Sequence, residues 1–96
     1  MASELAFDWD DDNRRHLKRH KVSPEEFEQA MLNGPVEIEY QQDNGEGRYK
    51  SLGASSRGRI LIAIWTVRGD RIRAVTAYTA PAHLKRLWAE LLERDK

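Results

Sequence analysis

Ile60-Leu61-Ile62-Ala63-Ile64-Trp65-Thr66-Val67, then Arg68-Gly69-Asp70, then Arg71-Ile72-Arg73-Ala74-Val75-Thr76-Ala77-Tyr78: these residues decide the fold. The first run is apolar on both faces, as in a central strand covered by a helix on at least one side. Gly69 gives the chain a place to turn. The returning run reads as a second strand. By the two-residue period, Arg71, Arg73, Val75 and Ala77 share one face, and Ile72, Ala74, Thr76 and Tyr78 the other.

Upstream, Val36, Ile38 and Tyr40 alternate with Glu37, Glu39 and Gln41, a strand with one wet, acidic face. Asp43-Asn44-Gly45 is a hairpin turn signal. Arg48 to Leu52 returns as the partner strand, and Gly53 to Gly58 reads as a flexible polar loop. Downstream, a helix begins near Pro81. Its Leu84, Leu87, Trp88 and Leu91 recur at i, i+3, i+4 and i+7, a stripe that packs on a sheet.

The N-terminal third reads as one strand and two helices. Leu5, Phe7 and Trp9 alternate with Ala6 and Asp8 as a short strand. Asp10 to Asp12 precede Arg14, Arg15, Lys18, Arg19 and Lys21. Acids before bases is the order a helix dipole favours, so a helix is expected from about Asp11 to His20. Leu17 is nearly its only apolar residue, which predicts a surface helix, polar all round. Ser23-Pro24-Glu25-Glu26 has the spacing of a capping box with proline at the first helical position. Val22 and Phe27 are set for a hydrophobic staple, and Asn33-Gly34-Pro35 ends the helix. The expected fold is α+β: a short N-terminal strand, two helices, an antiparallel sheet of three to four strands and a C-terminal helix.

At 96 residues the chain has room for one domain, expected over 1–96. No cysteine is present, which excludes a disulfide scaffold, a thiolate metal site and a cysteine nucleophile. No apolar run approaches a membrane span, and Glu4 and Asp8 near the start do not suit an export signal. A cytoplasmic protein is therefore expected.

Zero net charge hides a segregated pattern. Residues 1–47 carry 5 Lys/Arg against 12 Asp/Glu, and residues 48–96 carry 11 against 4. From Arg48 to Arg73, seven cations face only Asp70. Either the halves neutralise each other across the fold, or a basic sheet face is left exposed for a polyanion.

The chemistry-bearing pattern is arginine on strands. Arg48, Arg59, Arg68, Arg71 and Arg73 lie in or beside the sheet, interleaved with Tyr49, Trp65 and Tyr78. A guanidinium matches phosphate oxygens, and an aromatic face stacks on unpaired bases. RNA cleavage by its own 2′-hydroxyl needs alignment, stabilisation of charge on phosphorus and two proton transfers, which cations on a rigid sheet can largely provide. His16 and His20 sit at i, i+4 but have no third ligand nearby, so no metal site is expected. Ser55 and Ser56 have no base near them in sequence. No cofactor motif is present.

Phe7-Asp8-Trp9-Asp10, Asn13, His20, Val22, Ser23 and Glu26 resemble the opening of the BrnT toxin family. Arg48 with Gly53, Gly58-Arg59-Ile60-Leu61, Arg71-Ile72-Arg73, Thr76-Ala77 and Trp88 continue the resemblance in order, over residues 7 to about 90. The resemblance implies a RelE-like fold and a ribonuclease toxin of a bacterial type II toxin–antitoxin system, cleaving RNA without a metal. It also implies a cognate DNA-binding, BrnA-like antitoxin, with operator DNA reached only through that partner. Carried onto this chain, the catalytic candidates are Arg59, Arg73, His20 and Tyr78. The RNA-binding candidates are Arg48, Lys50, Arg57, Arg68 and Arg71. The chain departs from the family pattern at Lys21, where glycine is usual, and at Tyr78, where many members have arginine. The alternative reading is an RNA- or protein-binding module of the same fold with weak or no activity.

Overall fold

The computed structural model describes residues 5–94; residues 1–4, Glu4 among them, and 95–96 of the expected domain lie outside that range. The elements run β1 (Ala6–Asp8), α1 (Asp11–Arg19), α2 (Pro24–Leu32), β2 (Val36–Asp43), β3 (Glu46–Ala54), β4 (Ile60–Arg68), β5 (Arg71–Thr79) and α3 (Ala82–Arg94). The architecture is α+β. Strands β2 to β5 form the expected antiparallel meander, and β1 joins it as a fifth, parallel strand beside β5, giving the order β1-β5-β4-β3-β2. A parallel partner from the chain's own start is invisible to local pattern, because the pairing spans more than sixty residues.

β4 is central, and its two faces feed two cores. Leu61 and Ala63 point toward α1 and α2, where Leu17, Val22, Phe27, Ala30, Met31, Ala74 and Ala77 close the larger cluster. Ile62 points the other way and packs with Leu52, Ala80 and Trp88 under α3. Fully burying side chains such as Phe27, Leu61 and Ile62 is worth roughly 1.5–3 kcal/mol each.

Three local expectations change. α1 is not polar all round: Leu17 and Asn13 are both buried, so the helix is anchored to the core by a single leucine and an asparagine. Its start is also the stronger cap. The Asp10 carboxylate accepts from the Asn13 N–H at 3.0 Å while the Asn13 side chain accepts from the Asp10 N–H at 2.8 Å. In α2 the Ser23 hydroxyl accepts from the Glu26 N–H at 3.1 Å, but the Glu26 carboxylate turns away to Arg59, leaving half a box. Finally, Gly53 and Ala54 belong to β3, not to the loop.

Two strands carry irregularities that move side chains across the sheet. In β2 the register slips between Glu37 and Glu39, so Tyr40 pairs with Tyr49 on the α2 side and Glu39 sits opposite Lys50. In β5, Ile64 pairs with Thr76 and Trp65 with Ala74, which leaves Val75 as a bulge.

Candidate functional site

The Val75 bulge decides where the arginines point. With strict alternation Arg73 and Tyr78 would occupy opposite faces; the extra residue returns both to the α3 side of the sheet. They remain five residues apart, roughly 16 Å at about 3.3 Å per residue. α3 covers the Tyr78 end of that face and leaves the Arg73 end open.

At the open end lies a cleft of about 240 Å³, lined by Asp12, Asn13 and His16 of α1, Glu46 and Arg48 of β3, Thr66 and Arg68 of β4, and Arg73 to Val75 of β5. That is below the usual range for a drug-sized ligand and suits one small polar group. α1 reaches this edge because β1 ends at Asp8, opposite Arg73, and the helix then continues alongside β5 until His20 meets the ring of Tyr78 at 5.8 Å.

Arg73 is held firmly. Its side chain is 13% exposed, with Nη2 at 2.8 Å from Asp10 and Nη1 at 3.7 Å from Asp8. The Asn13 amide donates to the Asp8 carbonyl at 2.8 Å, tying the helix start to the same strand end. The Asp10 carboxyl lies below its ordinary range, first because the Asn13 N–H donates to it and then because Arg73 is beside it; partial desolvation opposes both. A lowered carboxyl stabilises the fold above its unfolded value, and that contribution is lost as pH falls through the folded one. Two buried donors, Arg73 Nη1 and Arg48 Nε, have no hydrogen-bond partner, and both residues line the cleft. An unpaired buried donor costs free energy unless a ligand completes it.

The sequence-predicted residues divide into groups. Arg48, Arg68 and Arg73 come together here; Lys50 lies one pair along the sheet, 3.8 Å from Glu39. His20 and Tyr78 form their own pair farther up β5. Arg71 is exposed where β1 meets β5, its guanidinium donating to the Phe7 carbonyl at 3.3 Å. Arg59 and Arg57 lie in a separate hollow with Lys18 and Lys21. There the Arg59 guanidinium donates to Glu26 at 2.6 Å, to the Lys21 carbonyl at 2.9 Å and to Thr79 at 3.3 Å, so it ties α2, the end of α1 and β5 together. Sequence reasoning missed His16 and Asn13 as cleft residues. Their i, i+3 spacing from the Asp10 cap was the available signal. Among the described residues no group of three or more His, Asp or Glu is arranged to hold a metal ion.

Residues 9–83 match the family described as "Ribonuclease toxin, BrnT, of type II toxin-antitoxin system". The chain belongs to the BrnT toxin family. No curated protein and no solved structure matches it. Membership in the BrnT family implies an antitoxin partner. The matched span takes in every residue of the cleft, from Asp12 to Val75. Among the described residues no helix is long and apolar enough to cross a membrane.

Proposed function

We propose that this BrnT-family protein is an endoribonuclease that cuts single-stranded RNA without a metal, in the cytoplasm, and is silenced by a cognate DNA-binding antitoxin. The observation that carries this reading is a pair of guanidinium donors without a hydrogen bond, Arg48 Nε and Arg73 Nη1, beside one histidine in one cleft. A phosphodiester supplies the missing acceptors. Arg48 is half-exposed, and rotation of its long side chain turns Nε toward such a group.

In the proposed reaction the ribose 2′-oxygen loses its proton, bonds to the adjacent phosphorus, and the bond from phosphorus to the 5′-oxygen breaks. The departing 5′-oxygen takes up a proton, leaving a 2′,3′-cyclic phosphate and a free 5′-hydroxyl. Arg48, Arg68 and Arg73 stabilise the charge that builds on the phosphoryl oxygens. His16, within the same cleft, takes the proton from the 2′-hydroxyl and returns one to the departing 5′-oxygen. Tyr78, farther along β5, and His20 at the end of α1 offer an aromatic pair on which a base farther along the strand can stack. Lys50 and Arg71 extend the backbone track, and Arg59, with Arg57 beside it, supports the site by fixing the helices to the sheet.

Expression in bacteria tests the reading as a whole. Induction of the chain alone is expected to arrest growth and degrade messages, and co-expression of the adjacent antitoxin gene is expected to restore growth. Normal growth at high levels of folded protein, without the partner, would favour a binding module.

A further inference from the structure

Arg73 is the least exposed arginine with an ion pair in the cleft, and two carboxylates of its own chain already hold it: Asp10 at 2.8 Å and Asp8 at 3.7 Å. Both carboxylates are part-exposed, but each is fixed in place by the backbone around it. Asp8 is fixed by its pairing with Arg73 across β1 and β5, and its carbonyl accepts from Asn13. Asp10 is fixed as the N-cap of α1, with reciprocal bonds to Asn13. Strand pairing and helix capping, two rigid features, therefore converge on one guanidinium.

Such a clamp has two consequences with opposite signs. It orients the guanidinium through Nη2 and leaves Nη1 3.7 Å from Asp8 without a hydrogen bond. It also offsets the positive charge, which weakens attraction for any ground-state phosphate. A group held this way contributes by geometry, once charge has developed on the phosphoryl oxygens, more than by initial affinity.

We infer that Asp8 and Asp10 are positioning residues for Arg73, sacrificing RNA affinity to fix the guanidinium for the transition state. This rests on the proposed cleavage at the cleft. Neither aspartate touches the substrate; each acts through Arg73.

Steady-state cleavage of a short single-stranded RNA tests it, with affinity measured in parallel at low salt and a melting curve for every variant. Asp10→Ser keeps a good helix cap and removes the carboxylate from Arg73. It is expected to lower kcat by roughly 10- to 100-fold while RNA binding stays level or tightens several-fold. Asp8→Asn is expected to do the same to a smaller degree. Asp10→Asn, which keeps the cap and an amide oxygen for Nη2, is expected to recover part of kcat. Asp11→Ser, outside the cleft, removes an equal charge from the same turn and is expected to leave kcat unchanged.

A kcat for Asp10→Ser within twofold of wild type overturns the inference. So does a parallel fall of kcat, affinity and melting temperature, which is the signature of a merely structural cap. If the wild type cleaves and Asp10→Ser is unaffected, only this inference falls; if the folded wild type cleaves nothing, the proposed function falls and this inference with it.

Discussion

Lys21 occupies a left-handed backbone conformation, φ +59°, just past the C-cap His20 of α1. The Val22 N–H reaches the Leu17 carbonyl at 3.1 Å and the Lys21 N–H reaches Lys18 at 2.9 Å, a Schellman ending with Val22 and Leu17 both buried. That geometry explains why glycine is usual at this position in the resembled pattern. A lysine there carries conformational strain, so Lys21→Gly is expected to stabilise the protein by about 0.5–1 kcal/mol, read as a raised midpoint in urea. A lowered midpoint would mean that the lysine side chain compensates for its backbone. At this scale the sequence was half legible. The arginines and tyrosines were visible as chemistry, but their directions were not. One bulge at Val75 re-aims Arg73 relative to Tyr78, and another near Ile38 swaps Tyr40 with Glu39; neither has a glycine or proline to announce it.

Among elements, β3 and α2 meet so closely that Gly53 has no room for a side chain. A Cβ there would stand 2.6 Å from the Ala30 carbonyl oxygen, a backbone atom that moves only if the helix moves. Gly53→Ala is expected to cost about 1–3 kcal/mol by overpacking, measured by thermal or urea unfolding. An unchanged midpoint would show that α2 slides freely on the sheet. α2, the β2–β3 and β4–β5 hairpins, the central strand and the C-terminal helix were legible because periodicity, a Ser-Pro start and Asn-Gly or Gly-Asp turns mark them locally. The Asn44-Gly45 turn, for instance, has both residues at positive φ, as a tight hairpin requires. What local pattern could not supply was long-range. β1 finds its parallel partner across the chain, and α1 buries Asn13 because that asparagine bonds both the Asp10 cap and the Asp8 carbonyl.

Across the whole molecule, the segregated charges prove to be paired by the fold. Arg48, Lys50, Arg59 and Arg73, all from the basic half, form ion pairs with Glu46, Glu39, Glu26, Asp8 and Asp10, all from the acidic half. Among the described residues Arg57, Arg68 and Arg71 are in no ion pair. Charge neutralisation and an open basic face are thus both present, on different residues. The proposed cleavage requires an open basic face only where α3 leaves the sheet uncovered. There the cleft assembles one α1 histidine and three strand arginines, one of them aimed by two aspartates.

The proposed cleavage at this cleft uses positioning, arginine charge and proton transfer by His16, and no metal. The direct measurement is cleavage of single-stranded RNA by the purified protein in excess EDTA, with product ends identified, beside an Arg73→Ala variant of matched melting temperature. Cyclic-phosphate ends are expected from the wild type in chelator, and a loss of at least about 100-fold in Arg73→Ala. Cleavage that stops in EDTA and returns with added metal, or an Arg73→Ala variant that cuts as well as the wild type, would contradict the proposal.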